Sequence, residues 1–119
     1  MHDYRLPYGL NVIADAAGVD AALQIALERG GSRIRIPQKA RGSILEEMVG
    51  IEAAQKIAAA LSDERIEIPV AKRVLAQWLQ NKGWSQERIS STLKVSRRTI
   101  QYWKADKTRS RQPDLLEDV

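Results

Sequence analysis

Residues 33–37 read RIRIP and residues 65–69 read RIEIP, nearly the same phrase 32 positions apart in a chain of 119 residues. Each alternates apolar and polar residues, the period of a half-buried strand, and ends on a proline that cannot extend a ladder. Sliding the chain by 32 lays VIADAAGVDAALQIALERGGSRIRIP (12–37) over ILEEMVGIEAAQKIAAALSDERIEIP (44–69) with no gap, and nine of 26 positions are identical. Alanine-rich helices match at a few positions by chance, but not at a strand and a proline as well. A repeat of this period governs the fold.

Working outward from the strand, each copy reads as one unit. A short helix ends at Gly18 or Gly50, where a left-handed C′ residue is expected. Ser43 and Glu46 of the second copy have the S-x-x-E spacing of a capping box. A longer helix follows, with Asp20 or Glu52 in its first turn near the positive end of the dipole. Val19, Ala22, Leu23, Ala26 and Leu27 recur at helical spacing as one apolar stripe. The pair IADAAGVDAALQI superficially resembles a DNA-reading helix pair, but its second helix offers Asp20, Gln24 and Glu28 to solvent, and acids repel phosphate. A four- to five-residue strand cannot stand alone. The two copies are therefore expected to pair antiparallel, four helices packing around the ribbon, with Ile34, Ile36, Ile66 and Ile68 as the interface strands and Arg35 facing Glu67. The competing arrangement pairs each copy with the same element of a second chain; sequence leaves intramolecular pseudo-dimer and homodimer both open.

Composition narrows the function. No apolar run approaches the roughly 18 residues of a membrane span. The first residues, MHDYRLPYGLNVIADAAG, lack the basic and apolar regions of a signal peptide, so a cytoplasmic protein is expected. There is no cysteine and the one histidine is His2, so no thiolate, metal cluster or nucleophile–base pair assembles, and neither an enzyme nor a cofactor is expected. Charge is segregated. Residues 1–70 carry 8 lysines and arginines against 10 acids, residues 71–112 carry 11 against 2, and residues 113–119 carry three acids alone. A basic block of net +9 is the electrostatic footprint of a nucleic-acid binder.

Within that block Val74, Leu75, Trp78 and Leu79 share a helical face and Gly83 ends the helix. In SQERISSTLKVSRRTIQYWKADK, Ser85 and Ser96 are N-caps, and Trp84/Ile89 and Val95/Ile100 sit at staple positions. Ile89, Leu93, Val95, Ile100 and Trp103 fall where a helix-turn-helix buries residues. Ser90 stands where alanine is usual and Lys94 where glycine is frequent, which predicts a slightly different turn. With Ile100 and Trp103 inward, Arg97, Arg98 and Gln101 become the candidate base readers, since arginine pairs with guanine O6/N7 and glutamine with adenine N6/N7. Ser85, Gln86, Ser96, Thr99, Tyr102 and Lys104 are placed for phosphates. The three tryptophans read as core. Lys107, Arg109 and Arg111 read as a basic extension, and PDLLEDV as disordered.

The second copy onward, ILEEMVGIEAAQKIAAALSDERIEIP followed by ERISSTLKVSRRTIQYWK, resembles the Mor family of transcription activators of Mu-like phages over residues 43–105, about half the chain. The resemblance implies a helix-pair-and-strand dimerisation module, a C-terminal helix-turn-helix docked in the major groove, and RNA polymerase as a partner. The family's two glycines before the strand stand here as Gly30-Gly31 in the first copy, while the second has Ser62-Asp63.

The sequence thus predicts a mainly α fold. A duplicated helix–helix–short strand module over 1–69, with copies at 12–37 and 44–69, forms an antiparallel two-stranded ribbon. A three-helix helix-turn-helix domain over 70–107 and a flexible tail over 108–119 follow. The expected function is a sequence-specific transcriptional regulator on double-stranded DNA, derived from a phage or mobile element and reading the major groove with helix 96–105. The alternatives are a non-enzymatic adaptor or assembly protein of packaging or partition type with little sequence preference, and an antagonist forming mixed dimers.

Overall fold

The computed structural model describes residues 6–110. Among these the chain is mainly helical with one two-stranded antiparallel ribbon, and it divides into two units, Met1–Ala71 and Lys72–Val119.

The first unit runs α1 (Tyr8–Ala17), α2 (Val19–Arg29), β1 (Arg33–Arg35), α3 (Ile44–Val49), α4 (Ile51–Leu61) and β2 (Arg65–Glu67). β1 and β2 pair with each other, Ile34 opposite Ile66. Each strand is three residues long rather than four or five, yet the bonding continues past the ladder. The Ile68 N–H donates to the Ser32 carbonyl at 2.7 Å and the Ile36 N–H to the Glu64 carbonyl at 2.8 Å. Beyond these, Gly31 N–H donates to the Ile68 carbonyl and Asp63 N–H to the Ile36 carbonyl, at 2.6 and 2.9 Å. The two bonds in each set match under the 32-residue offset with the copies exchanged, so the turn before each strand ties down the end of the other.

Those turns are alike although their residues differ. Gly30 and Ser62 have φ/ψ of −56/135 and −48/132, and the next residues, Gly31 and Asp63, have φ +89 and +66. Ser32 N–H bonds the Arg29 carbonyl at 3.1 Å and Glu64 N–H the Leu61 carbonyl at 3.0 Å, closing type II turns. Asp63 therefore occupies a conformation that favours glycine. Its carboxylate accepts from the Gln38 amide at 2.6 Å and from the Arg35 guanidinium at 3.2 Å. The Gln38 bond foremost holds the carboxyl below its ordinary value; burial opposes it, and Arg35 adds to the lowering.

The charge pairing across the ribbon differs from the expectation. Arg33 lies opposite Glu67, their side chains 3.6 Å apart, and Arg35 lies opposite Arg65. An antiparallel register centred on Ile34/Ile66 sets each residue before one isoleucine against the residue after the other. Arg35 and Glu67, counterparts in the repeat, cannot meet. Like charges face one another at 35/65, and Arg35 turns to Asp63 instead.

Inside the ribbon the repeat's apolar positions form the core. Ile13/Leu45, Ala22/Ala54, Ile25/Ile57, Ala26/Ala58 and Ile36/Ile68 are buried in both copies. Ala21, Leu23 and Ile25 are also buried, whereas Val19 and Leu27 of the expected stripe are half-buried. α1 packs on α2 and α4, and α3 on α4 and α2. Gly18 and Gly50 do break the helices, but not in the left-handed helical conformation expected. Their φ/ψ of 100/160 and 89/164 lie in a region essentially restricted to glycine. This lets one residue end a helix and begin the next: Gly18 N–H bonds Ala14 C=O and its own carbonyl receives Ala22 N–H. At α3 only half of the expected capping box forms. Ser43 Oγ accepts the Glu46 N–H, but Glu46 Oε1 accepts from Gly42 N–H, one residue before the cap.

The second unit runs α5 (Lys72–Asn81), α6 (Gln86–Leu93) and α7 (Arg97–Ser110), mutually packed. Leu75, Ala76, Trp78 and Leu79 of α5, Ile89 and Leu93 of α6, and Ile100 of α7 are buried. Val74, Val95 and Trp103, expected inside, are half-buried. α7 carries Lys107 and Arg109 and runs past the boundary expected at 107, so the tail does not begin at 108. Arg111 and PDLLEDV lie outside the described residues. No helix among those described is long and apolar enough to cross a membrane.

We expect Gly18→Ala and Gly50→Ala to cost similar amounts, about 1–3 kcal/mol each. A Cβ there meets nothing within 4 Å, so the backbone conformation alone is tested; an unchanged denaturation midpoint in either variant would contradict the geometry. At Asp63, alanine should be less stable than glycine at pH 7, because alanine keeps the unfavourable φ. The depressed carboxyl contributes stability above its unfolded pKa and loses it as pH falls through the folded one. The advantage of the wild type over Asp63→Ala should therefore shrink in that acid range, as followed by thermal melts.

Candidate nucleic-acid interface

Ser96 caps α7 from just before it: its Oγ accepts the Thr99 N–H at 3.1 Å and lies 2.9 Å from the Thr99 hydroxyl. Thr99, Ile100 and Trp103 turn toward the other helices, Ile100 completely buried and the others half-buried. Helical geometry then sends 97, 98, 101 and 102 to the opposite side. Arg97, Arg98, Gln101, Tyr102 and Lys104 are all exposed, and the first turn of α7 holds no acid. The residues expected to read bases thus share one solvent face.

The candidate phosphate contacts fall into two groups. Tyr102 and Lys104 extend from α7. Ser85 and Gln86 open α6, where the Ser85 Oγ accepts the Arg88 N–H at 3.1 Å. The half-buried Gln86 bonds Gln101 through its amide oxygen, 3.3 Å from Gln101 Nε2. The start of α6 therefore lies beside the outward face of α7. This contact is not visible in the sequence, where the two glutamines are 15 residues apart. Ser96 and Thr99 are engaged in capping, which leaves their oxygens at the helix start where anions are favoured.

The connection between α6 and α7 turns on Lys94, which adopts φ 59, ψ 45, the left-handed conformation that glycine takes most readily. Ser90 compensates. Its carbonyl receives the N–H groups of both Lys94 and Val95, and its hydroxyl donates to the Val95 carbonyl. Alanine at 90 could not make that last bond.

Elsewhere, a groove of about 880 Å³ in the first unit is lined by Pro7, Tyr8, Val12, Leu61 and the β2 residues. Its Arg33 and Glu67 pair with each other, and it brings together no nucleophile and base. No group of three or more His, Cys, Asp or Glu capable of holding a metal occurs among the described residues.

No family model, curated protein or solved structure matches this chain.

The turn gives a direct stability test. Lys94→Gly should raise the stability of the second unit by about 1 kcal/mol, relieving the left-handed lysine. Ser90→Ala should lower it by about 1 kcal/mol, the cost of one lost hydrogen bond. Urea denaturation followed by tryptophan emission reads both; destabilisation by Lys94→Gly would refute the turn geometry.

Proposed function

We propose that this chain is a sequence-specific DNA-binding transcriptional regulator, derived from a phage or mobile element, in which α6 and α7 act as a helix-turn-helix and α7 reads the major groove. The observation that carries the reading is the outward face of α7. Two arginines and a glutamine sit on its first turns with no acid among them, backed by a buried Ile100. A major groove admits a helix, and those side chains match guanine and adenine edges. The net +9 of residues 71–112 supplies the phosphate attraction that would dominate affinity.

The same reading assigns the first unit as a duplicated dimerisation module of the Mor type. Support comes from the 32-residue repeat and from cross-ribbon bonds that match under the same offset. In that family resemblance two chains would each supply one strand; here one chain supplies both and carries a single reading head. The partner is double-stranded DNA on the bacterial nucleoid, with RNA polymerase implied by the resemblance, and no catalytic step is involved.

Selection from random duplexes at near-physiological salt tests this. The expected result is one asymmetric site. Arg97→Ala or Arg98→Ala should then cost about 1–3 kcal/mol against that site and relax preference at one position. An inverted repeat with half-sites about 10 bp or a multiple apart would show two chains acting together. No enriched motif would overturn the regulator in favour of a DNA-binding assembly protein.

A further inference from the structure

Residues 78–88, WLQNKGWSQER, hold two aromatic–cation pairs at the same i, i+4 spacing. At the end of α5 the Lys82 ammonium lies 4.9 Å from the ring centre of Trp78. Across Gly83, the Arg88 guanidinium lies 3.7 Å from the ring centre of Trp84. Trp78 is buried and Trp84 half-buried, so both rings are fixed platforms, while Lys82 and Arg88 are exposed. Among the described residues neither cation is in an ion pair.

An exposed arginine ordinarily loses much rotamer freedom when it grips a ligand. A guanidinium already held over a ring has given up part of that freedom in advance, and its N–H groups remain available to a ligand. Those donors suit a phosphate, which accepts two parallel bonds from one guanidinium. The corner also has a suitable position. Arg88 lies on the first turn of α6, two residues after Gln86, and Gln86 contacts Gln101 on the outward face of α7.

We propose that the α5–α6 corner is a pre-organised phosphate clamp for the DNA backbone, with Arg88 on Trp84 as its principal donor and Lys82 on Trp78 as its second. The proposal rests on the DNA-binding reading and adds to it a contact that carries affinity but no sequence preference. A stacked pair that served only local packing would use the same rings, yet it would add nothing to the salt dependence of binding.

The test is fluorescence anisotropy of the full chain with the selected duplex and with a scrambled one, titrated over a range of salt. Arg88→Ala should weaken both duplexes equally, roughly three- to tenfold, and reduce the slope of log K against log salt by about 1. Lys82→Ala should act in the same direction and less strongly. Arg88→Lys, which keeps the charge but not the planar fork, should retain most of the slope and only part of the affinity. Circular dichroism and melting of each variant separate loss of contact from loss of fold. Folded Arg88→Ala with unchanged affinity and slope, while Arg97→Ala weakens the selected site, would overturn the clamp and leave the regulator standing. Weakening confined to the selected duplex would also overturn it, since that marks base reading. Failure of the wild type to bind either duplex would remove both.

Discussion

The first unit depends on a ribbon too short to be stable by itself. Three paired residues per strand offer few bonds, and an isolated hairpin is marginal in water. The four bonds beyond the ladder change that, because each strand's end is held by the turn preceding the other strand. Neither copy can order its own strand end without its counterpart. Burial then reinforces the pairing: Ile36 and Ile68 sit in the core with Ile25 and Ile57, each such side chain worth about 1.5–3 kcal/mol when removed from water. Slipping the register by one residue would send these isoleucines out and the arginines in.

The second unit obeys a different constraint. Three short helices must cross so that one of them keeps a face free, and the turn between α6 and α7 sets that crossing. A left-handed residue is required at Lys94, and lysine supplies it at some conformational cost. Ser90 offsets part of this by bonding the turn through both its carbonyl and its hydroxyl. The strain thus lies directly before the helix proposed to read DNA. A lysine at that point also adds a positive charge three residues before Arg97, which glycine could not.

Much of the helical fold and the ribbon was legible in the sequence, because period and repeat are properties of the chain alone. Three positions of the expected stripe, Ala22, Leu23 and Ala26, the breaks at Gly18 and Gly50, and the caps at Ser43, Ser85 and Ser96 needed no coordinates. What escaped has physical reasons. Glycine marks a break but not its ψ, since several regions are open to it. The partner of Arg35 depended on where the centre of the ribbon fell, and the offset alone suggested the wrong one. Ser62-Asp63 looked unlike Gly30-Gly31, yet an aspartate whose carboxylate is held by Gln38 and Arg35 makes the same turn. In the second unit, the candidate readers could be placed on one face from the position of Ile100. The bond from Gln86 to Gln101 could not, because it depends on how two helices cross. The stacked cations could have been found, as the W-x-x-x-K and W-x-x-x-R spacings are plain once tryptophan is treated as a platform and not only as core.

That one chain closes its own ribbon is what the proposal of a single reading head rests on, and it can be measured covalently. The chain has no cysteine, and Arg33 and Glu67 face each other at a pair that exchanges no backbone bonds, where Cα atoms stand about 4.5 Å apart, within disulfide range. Arg33→Cys combined with Glu67→Cys, oxidised in dilute solution and resolved by non-reducing electrophoresis and mass spectrometry, distinguishes the arrangements. A cross-linked single chain at monomer mass is expected. A covalent dimer as the main product would show that the strands pair between chains, and would contradict the self-closed ribbon.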